Sequence, residues 1–310
     1  MVQLEKEHPD IAKKYFDMRF KKMGIIDRIK TDATKTGSTI QPAEEAKLEA
    51  LFNKMFYLDK DIEEETKFIH TVMTRGAETQ ERIGLHASAI IDKGENSFCV
   101  RQQVLSLLYK QLQGEQLPVN TMRVFEEGNA VHEKWQRLFI RAGYAKAKTL
   151  DRTRYDEEYH LSFTPDIVCR IPEFYDGAMV GEIKSMNSFS FKKQHEHLSG
   201  KKQLKLYMHL LIKKAKEEGR WNGRDYLKGF TLMDSKNDQE FKVRLYDYDP
   251  KAVSEYIDRL DDINYYYNHF LETKVMVDRH RECTSYSCKM AEKCPMKDAC
   301  YNKGIGRIKL

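Results

Sequence analysis

Along residues 99–113 the apolar positions Val100, Val104, Leu107 and Leu108 fall on one side of a helical wheel. Steps of three and four keep side chains on one helix face, so the pattern predicts a helix there. A second helix is expected to open after the cap candidate Asn120 and to close before Gly143. Along it Phe125, Gly128, His132, Trp135 and Phe139 share one face. Residues 160–171 and 178–186 are instead rich in Val, Ile and Phe, and the turn-like stretch Pro172 to Gly177 between them predicts a β-hairpin. Residues 203–218 read as a helix, and 227–234 and 240–249 as two strands. A long helix follows, marked by Val253, Tyr256, Ile257, Leu260, Ile263, Tyr267 and Phe270. The last forty residues carry little regular pattern. At the other end, residues 1–30 and 43–75 read as helical, joined by 31–42, whose sequence TDATKTGSTIQP has linker composition. There is no internal repeat. The order predicts an α/β fold: a helical N-terminal region over 1–80, then a core over 81–310 with a mixed sheet flanked by helices.

Composition narrows the setting. No apolar run approaches the ~20 residues of a membrane helix, and mean hydropathy is −0.69. The opening Met1-Val2-Gln3-Leu4-Glu5-Lys6 lacks the apolar core of a signal peptide. A cytoplasmic protein without a membrane partner is expected. Six cysteines in such a compartment are poor candidates for disulfides and better ones for metal binding or chemistry. Their distribution is uneven. Cys283, Cys288, Cys294 and Cys300 fall within eighteen residues, whereas Cys99 and Cys169 stand apart. Cys169, inside a predicted strand beside Arg170, reads as a buried core thiol.

The expected hairpin carries the candidate chemistry. Asp166 lies in Thr164-Pro165-Asp166-Ile167-Val168, and Glu182 and Lys184 lie in Val180-Gly181-Glu182-Ile183-Lys184. Alternation puts Glu182 and Lys184 on one strand face. An unpaired carboxylate in so apolar a surrounding is costly. A hard divalent cation, Mg²⁺ or Mn²⁺, would stabilise two such carboxylates through oxygen. The bland alternative is an ion pair on a half-buried sheet, and the triplet alone does not separate the two.

Flanking features add weight. His132 shares its helix face with apolar neighbours, where a hydrogen-bonded core histidine is the common outcome; a nearby carboxylate pair raises the metal-ligand reading. Gly128 in mid-helix points to close packing. Gln203 and Tyr207, four apart, share a helix face from which both can donate to a phosphate. Residues 191–225 hold ten Lys or Arg, among them Lys192, Lys193, Lys201 and Lys202, against four acids. That local surplus exceeds the +5 of the whole chain. It suits a polyanionic substrate, with a solvated helix as the bland alternative for Lys213 to Lys216.

In order, these elements are Gly-x-x-x-His, Asp, Glu-x-Lys and Gln-x-x-x-Tyr. Over about residues 95–300 that order resembles the RecB-like branch of the PD-(D/E)XK nuclease superfamily. The resemblance implies a restriction-endonuclease-like fold. It implies metal-dependent cleavage of DNA, with exonuclease action on single strands or ends as the family's habit. Asp166, Glu182 and the Ile183 carbonyl would hold Mg²⁺ or Mn²⁺, with His132 as a further ligand, and Lys184 would position or activate the attacking water. Gln203 and Tyr207 would orient the DNA strand or the hairpin.

Some family members carry a 4Fe–4S cluster held by one cysteine before the nuclease motifs and three after them. Cys99 matches the first, and Cys294-Pro295 with Cys300 matches the last pair. The family's remaining ligand would fall at Ala291, so Cys288 is the nearer substitute and Cys283 the alternative. Four thiolates also bind Zn²⁺, and Cys283, Cys288, Cys294 and Cys300 alone would make a zinc knuckle with spacings wider than usual. The rival function is a non-catalytic DNA-binding or scaffold subunit built on that knuckle. Residues 1–80 lie outside the resemblance and are a candidate partner-binding segment.

Overall fold

The computed structural model describes residues 42–58, 84–91, 98–109, 119–150 and 152–302. The helix expected over 1–30, the linker up to residue 41 and the acidic stretch Asp61 to Glu65 lie outside them.

The described elements run α1 (Pro42–Met55), β1 (Leu85–His86), α2 (Ala87–Ile91), α3 (Val100–Leu108), α4 (Val119–Arg141), β2 (Arg154–Asp156), β3 (Leu161–Phe163), β4 (Ile167–Ile171) and β5 (Tyr175–Met186). They continue through α5 (Ser188–Lys193), α6 (Leu198–Glu217), β6 (Lys228–Ser235), β7 (Phe241–Asp247), α7 (Ser254–Thr273), α8 (Lys289–Glu292) and α9 (Lys297–Cys300). The fold is α/β with two mixed sheets, ordered β1-β3-β2 and β4-β5-β6-β7. Among the described residues no helix is long and apolar enough to cross a membrane.

The chain divides into two compact units. One joins Cys99–Leu105 to the chain from Asp249 onward; the other holds the remaining described residues up to Tyr248. This differs from the expected boundary near residue 80. Helix α1 belongs to the larger unit, where Leu48, Phe52 and Met55 enter its core.

In the larger unit, β5 pairs antiparallel with β4 and parallel with β6, and β6 pairs antiparallel with β7. Ile167, Cys169, Ile171, Met179, Ile183, Phe230, Leu232, Val243 and Leu245 alternate along the strands and pack with Trp135 and Phe139 of α4. The period of two sends them to one face, leaving Glu182 and Lys184 to the other, beneath α6. Helices on both faces explain why β5 is buried over most of its length. Cys169 is buried as expected.

The expected strand over 160–171 is two strands in different sheets, broken at Thr164-Pro165-Asp166. Pro165 has no N–H to continue a ladder. The turn before β5 is tighter than expected, and Gly177 lies inside the strand. Asn120 lies within α4 rather than before it, and the helix ends ahead of Gly143, whose φ of 75° suits glycine. The first sheet's short β1 and β2 escaped the pattern altogether.

Candidate active site and cysteine cavity

The register of β4 against β5 builds the first site. Ile167 pairs with Gly181, so Asp166, one step earlier, stands opposite Glu182. Two carboxylates facing each other across a ladder repel, and both are buried here. Local donors answer part of that charge. Asp166 Oδ2 accepts from the Ile183 amide at 2.7 Å, and Asp166 Oδ1 lies 3.3 Å from His132 Nδ1 on α4. Lys184 Nζ donates to Glu182 Oε1 at 2.6 Å and to Gln203 Oε1 at 3.3 Å. Glu182 Oε2 is buried without a hydrogen-bond partner.

The protonation balance follows. Burial pushes Glu182 up to about 8, with Asp166 adding to the shift and Lys184 and His132 opposing it. Burial raises the cost of ionising Asp166, but His132, Lys184 and the Ile183 amide outweigh it and hold this carboxyl below its ordinary range. Burial also disfavours a charged His132, yet Asp166 and Glu182 push it up to about 9. Glu182 and His132 therefore bind protons more tightly folded than unfolded. The stability each contributes is complete below its unfolded value and is lost as pH rises through the folded one. Without added divalent cation, the melting temperature is expected to fall between about pH 5, where Glu182 begins to contribute, and about pH 9, where the His132 contribution ends. Glu182→Gln should flatten that fall. A flat wild-type profile would contradict a buried, protonated Glu182.

Helix α6 shapes the other side. Its N-cap His197 accepts from the Gly200 amide at 3.1 Å. A Cβ on Gly200 would lie 3.1 Å from Lys184 Cγ, so glycine lets the lysine stem lie along the helix. Gln203 Nε2 donates to the Tyr207 hydroxyl at 2.6 Å. Tyr207 is 1% exposed, which corrects its expected role as a DNA contact. It holds Gln203, and Gln203 holds Lys184. On α4, a Cβ on Gly128 would meet only Ser185 Oγ, at 3.7 Å, an ordinary contact rather than the tight one expected. Gln136 donates to the Asp166 carbonyl at 3.1 Å, a support that no sequence motif announced. Ile183 enters through its amide.

The expected basic surface is uneven. Lys201 is held by Glu196 at 2.9 Å. Lys213 is drawn in among Asp156, Glu158 and Glu217. Lys192 is largely exposed, with Asp238 at 3.5 Å. Lys193 lies 4.0 Å from the centre of the Phe189 ring, and Lys202 is exposed on α6.

In the smaller unit, Cys99, Cys283, Cys294 and Cys300 line one cavity. Burial pushes the Cys294 thiol up to about 11, and the neighbouring Cys99, Cys300 and Cys283 add to it. Cys288, the nearer substitute by sequence, does not line the cavity. Its sulfur caps α8, accepting from the Ala291 amide at 3.4 Å. Cys283, the alternative, takes the lining position, with its sulfur 3.4 Å from the Tyr301 hydroxyl. Arg101 ties the segment together: it donates to the Val277 carbonyl at 2.6 Å and reaches the Cys300 carbonyl at 3.5 Å. Arg279 also approaches that carbonyl at 3.5 Å. Only the position of Arg101, two residues after Cys99, hinted at this.

Both donor sets fit the groups the resemblance implies. An orphaned buried carboxylate oxygen beside a second carboxylate suits a hard divalent cation. Four thiols around one cavity, drawn from distant stretches of chain, suit an iron–sulfur cluster. As placed, however, no group of three or more His, Cys, Asp or Glu side chains among the described residues stands ready to hold a metal ion; His132 and Lys184 sit against the carboxylates instead.

No family model matches the chain, and no curated protein matches it. The solved structure "Crystal structure of SSO0001" is similar at 12% identity and a TM-score of 0.40, over 76% of this chain and 95% of that one.

Proposed function

We propose that the chain is a Mg²⁺- or Mn²⁺-dependent deoxyribonuclease of the PD-(D/E)XK type, in the RecB-like iron–sulfur branch, acting on single-stranded DNA or DNA ends. In this reading β4 to β7 with the α6 crossover form a restriction-endonuclease-like core. The observation that carries it is Glu182, buried opposite Asp166 with Oε2 unpartnered. Lys184 meets Oε1; Oε2, beside Asp166, is left as a buried acceptor that a cation would take up.

Asp166 and Glu182 would hold the divalent cation, with His132 beside them. A bound cation supplies positive charge against the scissile phosphate and makes water more acidic. Lys184 orients water or steadies developing negative charge. Gln203, backed by Tyr207, fixes the lysine rotamer. Cleavage of fluorescent single-stranded DNA with and without Mn²⁺ tests the reading. Divalent-dependent phosphodiester hydrolysis supports it, and inert DNA across both metals and pH 6–9 overturns it.

Cys99, Cys283, Cys294 and Cys300 would hold a structural 4Fe–4S cluster. Protein purified without oxygen is expected to be brown. Cys283→Ser should lose most of its iron and melt lower, whereas Cys288→Ser should keep both colour and iron. Stoichiometric zinc in a colourless protein would refute the cluster, and iron loss specific to Cys288→Ser would reverse the ligand assignment.

A further inference from the structure

The short helix α5 follows directly on the strand that carries Glu182 and Lys184. Asn187 caps it, accepting from the Ser190 amide at 2.8 Å. Phe191 is buried against Met186 and Met233 and nails the helix down. Phe189 lies two residues earlier, about 200° around the helix, and that geometry turns it outward. It is 66% exposed, a poor place for an aromatic side chain without a task. Lys193 lies over its ring at 4.0 Å. Among the described residues neither Lys193 nor Lys202 makes a salt bridge to a carboxylate, and Lys192 meets Asp238 only at 3.5 Å.

An exposed aromatic ring among exposed ammonium groups is the chemistry that holds single-stranded nucleic acid, since bases stack and phosphates pair. A duplex offers no open base face to such a ring. From Lys184 to Asn187 the strand climbs about 10 Å, so the patch lies within a few nucleotides of the carboxylates.

We propose that Phe189 is a base-stacking platform for single-stranded DNA, with Lys193 and Lys192 pairing to the flanking phosphates. The choice of DNA rests on the nuclease reading; the stacking does not.

The test measures binding of labelled oligothymidylate, and of an abasic oligomer with the same number of phosphates, without divalent cation. Phe189→Ala is expected to weaken oligothymidylate binding about tenfold, with little change for the abasic oligomer. Phe189→Trp should restore binding. Lys193→Gln should weaken both ligands alike and flatten the salt dependence. Equal affinity of wild type and Phe189→Ala for oligothymidylate overturns the proposal, as does equal binding of the two oligomers by the wild type. Tighter Phe189-dependent binding of oligouridylate than of oligothymidylate overturns the choice of DNA. Cleavage by the same wild-type preparation is scored separately. Base-dependent binding without cleavage overturns the nuclease reading alone; cleavage indifferent to Phe189 in affinity overturns the platform alone.

Discussion

Lys184→Met is expected to slow Mn²⁺-dependent cleavage of single-stranded DNA by about 10²–10³-fold, the cost of removing one preorganised charge at a reacting centre. Methionine keeps an unbranched stem along Gly200, so packing changes little. It removes the ammonium 2.6 Å from Glu182 Oε1. Glu182 would then hold its proton more firmly, because burial already pushes it up and the opposing lysine is gone. A buried carboxyl that protonates costs far less than a buried charge left alone. The variant should therefore fold and bind DNA while failing to cut it. Single-turnover rates alongside thermal melts check both halves. A variant cutting at the wild-type rate removes Lys184 from the chemistry.

Trp135→Ala is expected to cost about 3–5 kcal/mol of stability. The ring packs edge-on against Phe241 at 4.9 Å and Phe56 at 5.4 Å. Its Nε1 also donates at 2.7 Å to Asp234 Oδ2, and Asp234 is 1% exposed. Trp135→Phe separates the terms: it keeps most of the packing and leaves that carboxylate to Lys134, for about 1–3 kcal/mol. His132 stands one helical turn away, so a shifted α4 should also disturb its 3.3 Å approach to Asp166. Urea unfolding followed by circular dichroism measures the losses. A cost below 1 kcal/mol for Trp135→Ala would place the tryptophan outside the core.

The sequence made the α/β order legible because long amphipathic helices and β-branched strands impose their own periods. It put Glu182 and Lys184 on one face because a strand alternates with a period of two; that Asp166 stands opposite Glu182 came only with the β4–β5 register. It could not show that Tyr207 is buried, since a four-residue spacing names a helix face without saying whether water or a sheet lies over it. Lys213 failed as a solvated lysine for a related reason: Asp156 comes from distant β2 and Glu158 from the turn after it. Proximity along the chain favoured Cys288 over Cys283. The structure adds what proximity lacks: Cys283 lines the cavity, while the Cys288 sulfur accepts from the Ala291 amide at the start of α8.

Helix α1 has a consequence for where this chain can be cut or tagged. Glu49 accepts from the Val243 amide at 2.9 Å, and Glu45 accepts from the Leu245 amide at 3.1 Å. Four residues of helix rise about 6.0 Å and two residues of strand about 6.6 Å. Two carboxylates on one helix face thus match two outward amides of β7, the last strand of its sheet. To that strand, α1 counterfeits a neighbouring strand. It occupies donors that would otherwise recruit a second chain. Removing Pro42–Met55 would unseal the sheet.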